Sequence, residues 1–398
     1  MLDSKLALER IRECRSKKSD KLSLSFLKIN RIPGEISELF WLKELEILHA
    51  KTSSLKGIEK LVNLEKLELS GTKITQVDEI KCLEKLKYLD LSFSQIKELE
   101  FLKSLKSLEN LILTGVKIKN WNGLKYLESV KNIDLSQTNF QEPEYLKKSK
   151  SLEILNLYGT PLLELEGLQS LEELKFLNIS QTPIIDIELI GQLGKIENLF
   201  LLGNRISETK SLKSLKNLKY LSVSSTLVDN LEVIKELQSL EKLDLSGTKI
   251  DNIEGLENLS NLNSLNISGT HVETIWPIEK LKNLIHLDLF CSKVSDIEVL
   301  EEFKDLKRLD LGETNIKSIR PILPIIKKGI RVKWEKRRFF SGDEVLLYKN
   351  PLMQPPIEIV KNGNKAIINY FEEIENESDT LHEAKLLILG EAGAGKTS

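Results

Sequence analysis

Apolar residues recur along this chain in a unit far longer than a helical turn or a strand pleat. In residues 240–259, LEKLDLSGTKIDNIEGLENL, they fall at offsets 0, 3 and 5 (Leu240, Leu243, Leu245) and again at offsets 10, 13, 16 and 19 (Ile250, Ile253, Leu256, Leu259). The first position returns at 42, 64, 86, 108, 130, 152, 174, 196, 218, 240, 262, 284 and 306. These are thirteen positions 22 residues apart, with Val130 and Ile196 the two that are not leucine. Repetition of this length marks an array of stacked units, each burying its apolar side against its neighbours.

The pattern within a unit predicts its shape. Alternation at Leu243 and Leu245 fits a short strand with both leucines pointing inward, and strands stacked about 4.8 Å apart form a parallel sheet. The outer face of that sheet is expected to be the concave side. Apolar residues at every third position in the second half suit turns and short 3₁₀ pieces, which form the convex side. Thr248 stands where the chain leaves the strand. The same slot holds Thr72, Ser94, Thr138, Thr160, Thr182, Asn204, Thr226, Thr270, Ser292 and Thr314. A short hydroxyl or amide there can bond the backbone of the turn and of the neighbouring units. LxxLxLxxTxI at a fixed period resembles the leucine-rich-repeat family, whose 22-residue form implies an α/β solenoid, a curved repeat array.

Polar residues or proline replace apolar ones at core offsets in three units: Pro143 and Ser149 after Val130, Thr209 after Ile196, and Thr52 after Leu42. The Val130 unit is therefore expected to be the softest. Before the array, Ala7, Ile11 and Cys14 form a stripe at helical spacing, with Asp3 and Ser4 as N-cap candidates. A capping helix over residues 1–20 would cover the open apolar end. A unit with 23 residues between Leu22 and Leu45 follows, and repeats are expected over 21–335. Residues 327–338 carry seven basic side chains against the single acid Glu335, a solvated final strand or a docking site for an acidic domain. A connecting segment is expected over 336–380. Asn350-Pro351 and Pro355-Pro356 punctuate it, and a helix near 357–375 is expected to break at Asn362-Gly363.

Composition narrows the classes. The chain has 58 basic and 60 acidic residues, a net charge of −2, which argues against nucleic-acid binding. The three cysteines, Cys14, Cys82 and Cys291, have no metal-ligand or CxxC spacing, so buried or neutral thiols in a reducing compartment are expected. No run of 18 apolar residues occurs, and the N-terminus lacks the apolar core of a signal peptide. A cytoplasmic chain without a membrane span is expected.

Residues 381–398 read LHEAKLLILGEAGAGKTS, a short apolar run followed by GxxxxGK[ST]. Such glycines let the backbone aim N–H groups at phosphate oxygens, while the lysine and hydroxyl serve the β/γ-phosphates and Mg²⁺. Together with the repeats and the segment NPLMQPPIEIVKNGNKAIINYF, this resembles the Roco family, in which a repeat array precedes a Ras-like GTPase domain (Roc) and a dimerising domain (COR). The resemblance implies that Gly390, Gly393, Gly395, Lys396, Thr397 and Ser398 hold GTP or GDP, with Thr397 on Mg²⁺ through the nucleotide. It also implies downstream GTPase and dimerisation domains as partners. No helix, DxxG or NKxD follows the loop before Ser398, and Asn364-Lys365 lies before it and lacks the aspartate. This stretch alone is expected to bind no nucleotide and to hydrolyse none.

The outward strand positions are where a protein partner is expected. Ile112, Ile154, Tyr158, Phe176, Phe200, Leu202 and Tyr220 fall in nearby units, and an exposed apolar patch with an acidic surround marks an interface. Asp and Asn in the next column read as solvated strand positions, and the four histidines have no ligand spacing. Two functions stay open: the recognition and regulatory arm of a Roco-type protein, or a free-standing adaptor binding a protein on its concave face.

Overall fold

The computed structural model describes residues 2–335 and 342–376, in two compact units, Met1–Val228 and Asp229–Ser398. The 22-residue period runs through that boundary without a mark.

The first unit opens with helix α1 (Leu2–Lys17), which buries Ala7, Ile11 and Cys14 as its stripe requires. Asp3 and Ser4 lie inside the helix rather than capping it, and the Asp3 carboxylate accepts from the Lys28 N–H at 3.0 Å, tying the helix to the first repeat. Ten three-residue strands follow, β1 (Lys21–Ser23), β2 (Glu44–Glu46), β3 (Lys66–Glu68), β4 (Tyr88–Asp90), β5 (Asn110–Ile112), β6 (Asn132–Asp134), β7 (Ile154–Asn156), β8 (Phe176–Asn178), β9 (Asn198–Phe200) and β10 (Tyr220–Ser222). They pair in sequence order, all parallel and one repeat out of step, so that Leu155 faces Leu177 and Leu177 faces Leu199. Between strands the chain makes 3₁₀ turns of three to six residues. The apolar residue at every third position closes each turn: Leu61 N–H reaches the Ile58 carbonyl and Leu64 N–H reaches that of Leu61.

The hydroxyl slot works as the pattern requires for threonine. Thr72 Oγ1 donates to the Leu69 carbonyl at 2.7 Å and Thr182 Oγ1 to that of Ile179 at 2.7 Å. Asn204 reaches further, taking the Thr182 N–H and giving its amide to the Ile179 carbonyl of the preceding repeat. The serines differ: Ser94 and Ser292 are buried with hydroxyls that find no partner. The polar residues at core offsets are accommodated. Thr52 and Ser149 are fully buried and donate to the Ile29 and Leu127 carbonyls, while Pro143 opens the turn Pro143–Leu146.

A second period of 44 residues, invisible in the leucines, also runs through this unit. Glu65, Glu109, Glu153 and Glu197 each accept from the lysine one repeat later (Lys87, Lys131, Lys175, Lys219) at 2.7–3.0 Å. The residue after each strand's exit is left-handed in every repeat, and glycine alternates there with longer side chains. Space is the reason at Gly71 and Gly115, where a Cβ would lie 2.4 Å from His49 Nδ1 and 2.5 Å from Phe93 Cε1, but not at Gly159, which meets nothing closer than 3.8 Å.

The second unit holds β11 (Lys242–Asp244), β12 (Ser264–Asn266), β13 (His286–Asp288), β14 (Arg308–Asp310), β15 (Arg331–Lys333) and β16 (Glu344–Leu346). Its order is β11-β12-β13-β14-β16-β15, all parallel. The connector expected over 336–380 therefore contributes a strand, inserted between the last regular one and the basic strand. Val345, Leu347, Asn350 and Leu352 stand at the spacing of Leu243, Leu245, Thr248 and Ile250, so β16 is a repeat strand displaced by an insertion. Asn350 fills the hydroxyl slot, accepting from Thr314 Oγ1 at 2.6 Å and donating to the Leu311 carbonyl at 2.6 Å.

The basic strand is not simply solvated. Lys333 pairs with the fully buried Glu344, Lys327 with Glu372, and Lys328 with Asp305. A short helix α2 (Leu323–Lys327) precedes it. Helix α3 (Ile357–Lys361) and the helical residues 364–376 are separated at Asn362-Gly363, where Gly363 has φ +83°. Asn364 clamps the closing turn, donating to the Ile326 and Ile330 carbonyls and accepting from the Val332 N–H. That places it in the scaffold and away from nucleotide chemistry.

Candidate functional site

The outward side chains of β7 to β10 form the candidate site. On each strand the middle residue is buried in the core and its two neighbours lie on the other face, where Ser222 of β10 alone is also buried. Pairing one repeat out of step sets Ile154 beside Phe176, and Asn178 beside Phe200. The Phe176 and Phe200 ring centroids lie 5.1 Å apart at 41°, and those of Phe200 and Tyr220 lie 4.7 Å apart at 66°. Edge-on and tilted pairs at these distances are attractive beyond the area they bury, so the three rings hold one another in place. All three are half-buried, and Ile154 at their side is 42% exposed. The result is a preformed apolar row.

The other three expected residues stand apart. Ile112 shares the face, but Asn132 and Asp134 of β6 separate it from Ile154, and it sits between Asp90 and Asp134 on the neighbouring strands. Tyr158 and Leu202 lie just past the ends of β7 and β9, with Ser180 between them. The Ser180 hydroxyl accepts from the Leu202 N–H at 3.1 Å. They flank the row without extending it.

The pattern of alternating leucines gave no warning of an aromatic ledge along the strand exits. Phe26 is 70% exposed and stacks on His49 with centroids 5.5 Å apart, and Phe93 is also exposed. All three have positive φ, between 51° and 63°, which costs a bulky residue on the order of 1 kcal/mol or more. The signal was present as aromatic residues standing in a left-handed slot that glycine or polar and small residues fill in the other repeats.

The corresponding face of the second unit is polar. Lys242, His286 and Arg308 share one outward column, and Asp244, Asp288 and Asp310 the next. Burial pushes the Asp288 carboxyl up to about 6 against the Phe290 N–H that stabilises its charge, and Asp244 adds to the rise. Asp310 rises to about 7 by burial and by repulsion from Asp288, opposed by the Gly312 N–H at 2.8 Å. His286 falls below its ordinary value through burial, then the Arg308 and Lys242 charges. Asp310 is 6% exposed, so no substrate reaches it. Among the described residues no group of three or more His, Cys, Asp or Glu side chains is placed to hold a metal ion.

Of the cysteines only Cys14 is buried, and burial raises its thiol; Cys82 and Cys291 are exposed. Gly390, Gly393, Gly395, Lys396, Thr397 and Ser398 lie outside the described residues, as do Lys336, Arg337 and Arg338. No helix among the described residues is long and apolar enough to cross a membrane.

A family model described as leucine-rich repeats (two copies) matches residues 62–104. No curated protein sequence matches the chain. Among solved structures it is similar to an internalin (InlF) of Listeria monocytogenes, 23% identical, covering 87% of this chain and 89% of that one with a TM-score of 0.60. A leucine-rich-repeat protein of Leptospira interrogans is also 23% identical, over 87% and 94%, with a TM-score of 0.73. A plant peptide hormone receptor solved in complex with RGF2 is 22% identical, covering 86% of this chain and 57% of the receptor, with a TM-score of 0.62. At these identities the likeness concerns the fold alone, the leucine-rich-repeat arrangement of short parallel strands and 3₁₀ turns seen in each unit.

Proposed function

We propose that this chain is a protein-recognition module that takes its partner on the sheet face of the first unit, at Ile154, Phe176, Phe200 and Tyr220, with Tyr158 and Leu202 at its flank. The observation that carries the reading is the row itself, rings locked by mutual contact on a face whose other repeats, Ile112 apart, present mainly polar side chains. Pre-ordered aromatic anchors lose little freedom on binding, which is why such residues dominate interface energetics. A receptor of similar fold solved in complex with RGF2 supports the reading. The test is partner capture by Phe176→Ala/Phe200→Ala against His286→Ala/Arg308→Ala. Capture lost in the first and kept in the second is expected, and equal capture by both contradicts it.

The wider setting we propose is a Roco-type GTP-binding signalling protein of the cytoplasm, with this module as its regulatory arm. Gly390, Gly393, Gly395, Lys396, Thr397 and Ser398 would hold GTP or GDP there, with Mg²⁺ at Thr397. The support is the GxxxxGK[ST] motif following a strand-like apolar run. The coding sequence downstream of Ser398 decides: DxxG and NKxD in frame uphold it, whereas a stop codon favours the free-standing adaptor.

A further inference from the structure

We infer that the occupant of the aromatic row is an extended polypeptide segment carrying an apolar anchor and, a few residues away, a basic stretch. This rests on the recognition reading above and adds the chemistry of the partner.

The face of the first unit changes character between β6 and β7. Outward positions on β7 to β10 are Ile154, Asn156, Phe176, Asn178, Asn198, Phe200, Tyr220 and Ser222, with no charge among them. Those on β2 to β6 include the acids Glu44, Glu46, Glu68, Asp90 and Asp134. Lys66 lies 3.0 Å from Glu68 and Lys21 lies 2.7 Å from Glu44, which neutralises two of the five. Glu46, Asp90 and Asp134 have no basic partner among the described residues. The four Glu–Lys pairs of the ladder beside the strands add no net charge. The field is felt locally: after burial, Asp90 and Glu68 are the main influences raising the Tyr88 phenol.

An apolar anchor beside uncompensated carboxylates selects a partner of opposite charge and repels nucleic acid. Strands about 4.8 Å apart put Asp134 roughly 10–14 Å from the Phe176 and Phe200 rings and Asp90 roughly 19–24 Å from them. A segment crossing the strands in extended form advances about 3.3 Å per residue, so its Lys or Arg residues belong about three to seven positions from the anchor.

Selection from a displayed library of roughly twelve-residue random peptides on the whole chain tests this, with the selected peptides then titrated against variants. Glu46→Gln/Asp90→Asn/Asp134→Asn keeps an acceptor for the Ser92 and Ser136 N–H groups while removing charge. Circular dichroism confirms that each variant stays folded. The expected peptides pair an apolar cluster with Lys or Arg at that spacing, and bind the triple variant about tenfold or more weaker, with a similar loss at roughly 0.5 M salt. Peptides that require Phe176 and Phe200 yet bind the triple variant equally and ignore salt overturn the basic-segment inference and leave the recognition site standing. Peptides indifferent to Phe176→Ala/Phe200→Ala, or no enriched peptide at all, overturn both.

Discussion

Two sheet faces are built here from one repeat, and they differ in everything the repeat leaves open. In the first unit the outward positions of β7 to β10 converge on stacked rings without charge. In the second unit the same positions alternate Lys242, His286 and Arg308 with Asp244, Asp288 and Asp310. The buried sides are nearly identical, with the mid-strand leucines of β7 to β14 at 0–2% exposure. The lesson is that core offsets constrain the fold while outward offsets are free to specialise. A polar face costs stability where its charges are half-covered, whereas an apolar face costs exposed surface until a partner covers it.

The largest expected effect that separates the faces is on binding. Phe176→Ala/Phe200→Ala should weaken partner capture by roughly 100-fold, the range of a central aromatic hot spot, with little change in thermal midpoint. His286→Ala/Arg308→Ala should leave capture unchanged. A loss shared by both variants would erase the contrast.

The next effect belongs to the polar face. Asp310 holds its proton in the folded chain up to about 7, against an ordinary value of 3.8. The folded state then binds more protons than the unfolded one, so stability falls as pH rises from about 4 and levels off above about 7. Asp310→Asn keeps an acceptor for the Gly312 N–H and removes the charge. It should stabilise the second unit at pH 8 by on the order of 2 kcal/mol and hardly at all at pH 4. Denaturant melts at both pH values check this, and an equal shift at each would show that the carboxyl titrates normally.

A smaller difference is expected between the Val130 repeat of the first unit and the Leu240 repeat of the second. The Val130 repeat has Pro143 and Ser149 at core offsets, and Phe140 packs on Trp121, whose buried indole N–H has no partner. Its amides should exchange faster than those of the Leu240 repeat, with opening lower by roughly 1–2 kcal/mol. Equal protection would mean that the Ser149 bond to Leu127 restores what the leucine would have supplied. The smallest effect is on the ladder: Glu153→Gln should leave the midpoint unmoved at physiological salt, because Glu153 and Lys175 are exposed.

The regular repeats were legible because burial enforces a leucine every few positions and stacking enforces the spacing. Strand β16 escaped because an insertion shifts it off the 22-residue grid, although Val345, Leu347, Asn350 and Leu352 keep the internal spacing. The 44-residue alternation escaped because it lives in charges and in left-handed residues, which no core constraint reveals. For the candidate site, the outward columns could be written down from sequence, but contiguity could not. Phe200 leans between Phe176 and Tyr220 from the adjacent column, while Asp134 cuts off Ile112. Ring orientation settles such neighbours, and spacing does not encode it.

Hydrogen exchange on the whole chain, with and without the captured partner, tests the central claim most directly. The account predicts that added protection concentrates in residues 154–222 of the first unit, at β7 to β10. Protection confined to residues 242–310 of the second unit, with β7 to β10 unchanged, would contradict it.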